Sequence, residues 1–66
     1  MEKYGFSVII PAHNEENYIG KCLAGIRRAE LQVAPEKVQI VVVANRCTDR
    51  TADISRKFRA QVVENS

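Results

Sequence analysis

Side chains that can bind polar ligands or transfer protons are concentrated in two short segments of the 66-residue sequence. The first segment consists of Pro11, Ala12, His13, Asn14 and Glu15. The second segment consists of Ala44, Asn45, Arg46, Cys47, Thr48 and Asp49. Together they offer an imidazole, amides, carboxylates, a guanidinium and a thiol, a set that suits recognition of a polar molecule by hydrogen bonding.

Metal binding and catalysis are not expected from these residues. The sequence has no Asp-x-Asp pair, and Cys22 and Cys47 are too far apart for a CxxC metal motif. Cys47 is expected to be a partly buried loop thiol, because no histidine lies near it in sequence to activate it. Asp49 is expected at a helix start. Arg46 is expected in solvent, with phosphate binding as the alternative.

Each polar segment follows an apolar run that is typical of a β-strand. Residues 5–10 are continuously apolar or β-favouring, which predicts a strand buried on both faces, as in parallel sheets. Pro11 is expected to end this strand because proline donates no ladder hydrogen bond. Residues 38–44 are the most β-branched stretch and predict a central strand. Residues 61–64 predict a short third strand.

Two helices are predicted between these strands. Residues 15–30 carry an apolar stripe at three- and four-residue spacing, with Asn14 as the N-cap and acidic residues in the first turn. The stripe comprises Ile19, Cys22, Leu23, Ile26 and Ala29. Residues 49–59 predict a second helix with Thr48 as its N-cap. Tyr18 and Phe58 are expected to pack in the core.

The order strand, helix, strand, helix, strand predicts an α/β fold, a βαβαβ unit with a parallel three-stranded half-sheet. Ligands of open α/β sheets bind beyond the carboxyl ends of the strands, where both polar segments fall. The small size predicts that the chain needs a partner or further parts of a domain for stability.

Composition narrows the class of protein further. Hydrophobic residues make up 45% and charged residues 27% of the chain, which is typical of globular proteins. A net charge of +2 is too small to indicate a nucleic-acid partner. Because no apolar run approaches ~20 residues and no leader precedes the first strand, we expect a cytoplasmic location.

The two polar segments resemble the opening motifs of family 2 glycosyltransferases. Residues 7–16, SVIIPAHNEE, look like that family's apolar strand followed by Pro-Ala/Thr-Tyr-Asn-Glu. Residues 41–51, VVVANRCTDRT, resemble its second-strand motif, commonly Asp-Asp/Asn-Gly-Ser-Thr-Asp-Gly-Thr. The order and spacing of the motifs also fit. The resemblance implies that residues 1–66 are a single partial domain, the N-terminal nucleotide-binding half of a GT-A (Rossmann-like) glycosyltransferase fold.

The resemblance also implies a nucleotide-diphospho-sugar donor as ligand. By position, Pro11, Ala12, His13, Asn14 and Glu15 line the nucleoside, and Ala44 and Asn45 face the base. Ala44 stands where the family usually has a base-recognising Asp, so we expect the Asn45 amide to take over that role. A UDP-sugar is the first expectation, and a purine nucleotide stays open. His13 replaces the usual Tyr and still offers a flat ring.

The resemblance implies that the metal-binding and catalytic carboxylates lie downstream of this segment. Mg²⁺ or Mn²⁺ is therefore expected for the complete enzyme, with no ligands from this chain, which we expect to be inactive alone. The expected partners are the nucleotide-sugar and either the remainder of the catalytic domain or a second copy. Many family members carry membrane helices elsewhere, so membrane association of the full-length protein stays open.

Two other hypotheses fit the same residues. In the first hypothesis, the chain is a non-catalytic truncated α/β module that self-associates through the open edges and faces of its half-sheet. In the second, it would be another nucleotide-binding α/β domain, such as a nucleotidyltransferase. The sequence has neither GxGxxG after its first strand nor a GKS/T motif, which argues against dinucleotide-binding Rossmann and P-loop proteins.

Overall fold

Three parallel strands and two α-helices make up the computed structural model, which describes residues 4–65. The elements in chain order are β1 (Phe6–Ala12), α1 (Ile19–Glu30), a 3₁₀ helix (Leu31–Val33), β2 (Val38–Asn45), α2 (Thr51–Lys57) and β3 (Gln61–Asn65). The strand order is β1-β2-β3, and both neighbouring pairs are parallel. The predicted βαβαβ fold with a central second strand is confirmed.

The hydrophobic core lies between one face of the sheet and the two helices. Alternate residues of β2 point into it, and Ile40 and Val42 are almost completely buried. Ile19 and Leu23 of α1 cover them, and Phe58, just after α2, packs against the same cluster. Because both crossovers run in the same direction across the sheet, both helices cover the same face. None of the helices in residues 4–65 is long and apolar enough to cross a membrane.

The opposite face of the sheet is open within residues 4–65. Ile9 in β1 is 70% exposed and Val63 in β3 is 45% exposed. The prediction that the first strand is buried on both faces is therefore wrong for the described residues, since only its alternate residues Val8, Ile10 and Ala12 face the core. A continuous apolar run is compatible with burial of both faces of a strand, but the run alone does not mean that other elements cover both faces.

Pro11 lies inside β1 and does not end it, which corrects the predicted strand boundary. It pairs in register with Val43, and β1 continues to Ala12. The backbone N–H of Phe6 donates to the carbonyl of Lys37 on the β2 side. Since N–H groups alternate in direction along a strand, that of residue 11 would face the outer edge, so a proline there removes no ladder bond.

Both helices begin later than predicted. Helix α1 starts at Ile19, and its N-cap residue, Tyr18, makes no side-chain capping bond. Asn14 is therefore not the N-cap; its backbone is left-handed, with φ of 48°, and its side chain bonds elsewhere. Helix α2 starts at Thr51, so Thr48 is not its N-cap either. A one-turn segment whose hydrogen bonds close on the Glu15 carbonyl leads into α1.

Three residues that were expected in the core are exposed: Cys22 and Ala29 on α1, and Tyr18 just before it. Cys22 lies roughly 60° round the helix from Ile19, at about 100° per residue, and is solvent-accessible. The core-facing stripe is narrower than the sequence suggested and centres on Ile19, Leu23 and Ile26. Tyr18, also expected to pack, is 70% exposed. Phe58 packs against the core as expected.

Candidate functional site

The segments after β1 and β2 lie side by side at the carboxyl edge of the sheet. We call residues 13–18 the first loop and residues 46–50 the second loop. Ala12 and Ala44, the residues at or next to the ends of the two strands, are register partners. Nδ1 of His13 lies 2.7 Å from the backbone carbonyl oxygen of Asn45. The two polar segments therefore form one continuous surface.

The contact between His13 and Asn45 determines how the imidazole can bind a ligand. A carbonyl oxygen only accepts hydrogen bonds, so Nδ1 of His13 donates to Asn45. In the neutral ring the other nitrogen, Nε2, is then an acceptor. His13 is exposed, and Nε2 has no hydrogen bond within residues 4–65. It is therefore available to a donor group of a ligand.

Asn14 fastens the first loop to the second loop. Its side-chain Oδ1 accepts a 2.8 Å hydrogen bond from the Thr48 N–H, and its own N–H donates to the Cys47 Sγ at 3.3 Å. Asparagine is among the few residues that tolerate left-handed backbone. The Asn14 side-chain oxygen, predicted to line a nucleoside, is thus occupied by the second loop. Cys47 is half-buried, and its thiol also lies 3.6 Å from the Ala12 carbonyl.

A second set of hydrogen bonds joins the first loop to the start of α2. The Glu15 N–H donates to Thr51 Oγ1 at 2.8 Å, and that hydroxyl donates to Asp49 Oδ1 at 2.6 Å. Asp49 Oδ1 also accepts from the Thr51 N–H, and Oδ2 accepts from the Glu16 N–H. Burial raises the pKa of the Asp49 carboxyl, but these hydrogen bonds outweigh it and leave the pKa below its ordinary value.

The remaining polar groups at this edge are free. The Glu15 carboxylate, the Asn45 amide and the Arg46 guanidinium are exposed, and none of them makes a hydrogen bond within residues 4–65. A cavity of about 390 Å³ opens between the ends of β2 and β3. It is lined by Ala44, Arg46, Cys47, Thr48, Glu64 and Asn65. A cavity of this size with the free Arg46 guanidinium in its wall suits a polar small molecule.

Some of the predicted site residues have exposed side chains, and others are buried. Pro11, His13, Glu15 and Asn45 are exposed at the loop edge. Ala12 and Ala44 are 3% and 2% exposed, so they can meet a ligand mainly through backbone atoms. Sequence reasoning missed the fastening role of Thr51 and Asp49. The spacing Asp-x-Thr before a helix is a known local capping pattern and was the available signal.

A second cavity, of about 300 Å³, lies at the opposite edge of the sheet and is structural in character. Its wall includes Arg27, whose guanidinium donates to the carbonyl oxygens of Val38, Phe58 and Arg59. Glu30 accepts from both Arg27 and the Val38 N–H. These groups already satisfy one another, so they leave little to offer a ligand.

Comparison with known proteins decides the family. The model of glycosyl transferase family 2 matches residues 7–66, a range that contains both loops, β2, β3 and all of β1 except Phe6. The chain belongs to glycosyl transferase family 2. It is also similar to the probable glycosyltransferase YdaM of Bacillus subtilis (strain 168), with 40% identity over 52 residues, which is 79% of this chain. No solved structure matches it.

Family 2 membership indicates which part of a larger fold the observed sheet corresponds to. The parallel β1-β2-β3 order with two helices is that of the N-terminal half-sheet of a GT-A Rossmann-like fold. The chain spans 12% of the length of the relative YdaM. The two loops therefore stand at the N-terminal part of a family 2 glycosyltransferase domain.

The described residues of this family 2 chain do not fit a divalent metal ion. Within residues 4–65, no three His, Cys, Asp or Glu side chains come together as a ligand group. Both oxygens of Asp49 accept protein hydrogen bonds, and Asp53 faces solvent, where it pairs with Arg56 at 3.5 Å. Chemistry that depends on a metal therefore cannot be assigned to these residues.

Proposed function

We propose that the two loops bind the nucleoside of a nucleotide-sugar donor, and that this chain supplies donor recognition to a family 2 glycosyltransferase. The observation that supports this most is the meeting of His13 and Asn45. His13 Nδ1 lies 2.7 Å from the Asn45 backbone carbonyl, so the residue with the free imidazole nitrogen and the residue with the free amide are in contact at the carboxyl edge of a parallel sheet. Ligands of open α/β sheets bind at that edge.

Recognition of the base is proposed for Asn45. A side-chain amide can accept from an imide N–H through its oxygen and donate to a neighbouring carbonyl through its NH₂. Uracil presents such a pair, which supports a UDP-sugar as donor. Guanine also offers a carbonyl beside an N–H, so a GDP-sugar is the competing ligand. His13 offers its ring face to the base and Nε2 to a hydroxyl or N–H donor.

The Glu15 carboxylate is proposed to accept the ribose hydroxyls. It is exposed and free within residues 4–65, and its backbone N–H is held by Thr51 Oγ1. A carboxylate that accepts from a hydroxyl makes a charge-assisted hydrogen bond, which is stronger than a neutral one. This contact would favour ribonucleotides over deoxyribonucleotides.

The chemical step is proposed to depend on residues outside this chain. Deprotonation of an acceptor hydroxyl needs a base within hydrogen-bond reach, and a diphosphate leaving group needs a cation or a cluster of donors. We propose that other parts of the protein supply the base and any Mg²⁺ or Mn²⁺ ligands. The chain by itself would then bind nucleotide without requiring metal and would transfer no sugar.

Calorimetric titration tests the proposal with UDP, GDP, UDP-glucose and GDP-mannose, each with and without Mn²⁺. We expect UDP and its conjugate to bind, with no dependence on Mn²⁺. Asn45→Ala should weaken UDP binding about tenfold, the effect of losing a well-aligned hydrogen-bonding pair. Gln32→Ala removes an exposed amide from the 3₁₀ helix near the amino edge of the sheet and should leave binding unchanged. Failure of every nucleotide to bind would refute the proposal.

Self-association is the second candidate, and the open sheet face supports it. Ile9 and Val63 are exposed on that face, and large apolar patches mark interaction surfaces. The face would be covered either by the remainder of a catalytic domain or by a second copy of the chain. Sedimentation of the 66-residue chain separates these outcomes, because only the second gives a dimer.

A further inference from the structure

Two consecutive backbone amides of the first loop are held by one pair of side chains, Asp49 and Thr51. The Glu15 N–H donates to Thr51 Oγ1 at 2.8 Å, and the Glu16 N–H donates to Asp49 Oδ2 at 3.1 Å. The pair is itself joined by a 2.6 Å hydrogen bond from Thr51 Oγ1 to Asp49 Oδ1. The two bonds to the Glu15 and Glu16 amides connect residues more than 30 positions apart in sequence.

The direction of each hydrogen bond is determined by the groups involved. The Glu15 N–H can only donate, so Thr51 Oγ1 accepts from it and directs its own hydrogen to Asp49. Thr51 is fully buried, and its hydroxyl is satisfied on both sides. Asp49 Oδ2 must accept from the Glu16 N–H. Replacing that oxygen with an NH₂ group would bring two donors face to face at about the same distance.

We propose that Asp49 and Thr51 are positioning residues for the Glu15 carboxylate, and through it for recognition of the ribose. This inference rests on the proposed donor-binding function. Asp49 touches no ligand in this role and acts through the Glu15 backbone. The side chain of Glu15 projects from a backbone that is held at residues 15 and 16, so loss of either bond frees the carboxylate to move away from the sugar.

The positioning role predicts an effect on ribose selectivity that a general loss of stability would not produce. The unmodified chain should bind UDP about tenfold more tightly than 2′-deoxy- or 3′-deoxy-UDP, the loss expected for one charge-assisted hydrogen bond. Asp49→Asn should reduce that ratio to about two or less, whereas the preference for UDP over GDP, which depends on Asn45, should persist.

Matched variants separate positioning from charge and from folding. Asp53→Asn also removes one carboxylate charge, from the first turn of α2, but within residues 4–65 Asp53 pairs only with the exposed Arg56. It should keep the full ribose ratio. Thr51→Ser retains the hydroxyl and should keep the ratio, whereas the nearly isosteric Thr51→Val removes the hydroxyl and should lower the ratio as Asp49→Asn does.

The experiment measures binding of UDP, its two deoxy analogues and GDP to the chain and these four variants, with amide NMR spectra of each. We expect the Glu15 and Glu16 amide resonances to move in Asp49→Asn and Thr51→Val while the strand resonances stay in place. An unchanged ribose ratio in folded Asp49→Asn, with UDP still preferred over GDP, would overturn this inference and leave the proposed function standing. Absence of UDP binding to the unmodified chain would overturn both.

Discussion

The side-chain oxygen of Asn14 accepts a 2.8 Å hydrogen bond from the backbone N–H of Thr48, 34 residues away. With the contact between His13 and the Asn45 carbonyl, it makes the two loops a single unit. The proposed binding of a nucleotide-sugar at this edge would benefit from this rigidity, because loose loops would have to be ordered when the ligand binds.

Substitution of Asn14 should separate its two contributions to stability. Asn14→Ala loses the hydrogen bond and also places alanine at a φ of 48°, so we expect a loss of about 2 kcal/mol in the free energy of unfolding. Asn14→Gly loses the hydrogen bond but tolerates the backbone and should cost about 1 kcal/mol less than Asn14→Ala. Urea denaturation measures both. Equal losses would contradict the contribution from left-handed backbone.

Replacement of Arg27 even by lysine should lower the stability of the protein. Its guanidinium donates to carbonyl oxygens of Val38, Phe58 and Arg59, a geometry that a single ammonium group cannot reproduce. We expect Arg27→Lys to lower the free energy of unfolding by about 1–3 kcal/mol. Arg28→Lys, at the exposed neighbouring position, should change it by less than about 0.5 kcal/mol. Thermal and urea unfolding of the two variants provide the comparison.

Stability should fall with acid because of Asp49 and Glu30. The hydrogen bond from the Val38 N–H lowers the pKa of Glu30, and the charge of Arg27 also acts against the effect of burial, so the pKa lies below its ordinary 4.5. The pKa of Asp49 also lies below its ordinary 3.8. For both groups the unfolded chain takes up protons first. Their stabilisation is therefore complete above about pH 5 and is lost as the pH falls through the folded-state pKa values.

Unfolding measured from pH 6 down to pH 2.5 checks this dependence. Asp49→Asn should flatten the acid limb of the curve, because the substituted group no longer titrates. Asp53→Asn is the control, since the exposed Asp53 makes only a 3.5 Å contact with Arg56. An acid limb in Asp49→Asn as steep as that of the control would rule out the contribution of Asp49.

The open sheet face should govern association. Ile9→Ser removes an exposed apolar side chain of β1 from that face and should weaken any self-association. It should change the free energy of unfolding by less than about 1 kcal/mol, because the side chain is 70% exposed. Leu31→Ser makes a similar change at an exposed position outside the sheet and should have no effect on association. Sedimentation across a concentration range measures both variants.

Much of the fold could be predicted from local patterns. The β-branched run 38–44 and the two apolar stripes gave the element order, and the order gave a parallel sheet with both polar segments at one edge. Helix starts could not be predicted in the same way. Asn14 and Thr48 are good N-caps locally, but the chain uses Asn14 Oδ1 and the Thr48 N–H to join distant loops. Competition between a local N-cap and a hydrogen bond to a distant loop leaves no periodic signal in the sequence.

The candidate site was predictable in position and only partly in detail. Exposed His13 and Asn45 meet because strand register brings their segments together. The burial of Ala12 and Ala44 follows from the alternation of side chains between the two faces of a strand, but the continuously apolar runs did not show which face would be covered. The local spacing Asp-x-Thr indicates the pairing of Asp49 with Thr51, but the bonds from this pair to the Glu15 and Glu16 amides depend on how α2 packs against the first loop, and no local pattern specifies that packing.

Pro11 affects how a further strand can pair with the outer edge of β1. Its missing N–H leaves a gap in the row of donors along the free edge of β1, close to the candidate site. The outer edge of β3 contains no proline between Gln61 and Asn65. In the strand order of doubly wound sheets the next strand pairs with β1, so such a strand would lack one ladder hydrogen bond at Pro11, next to His13.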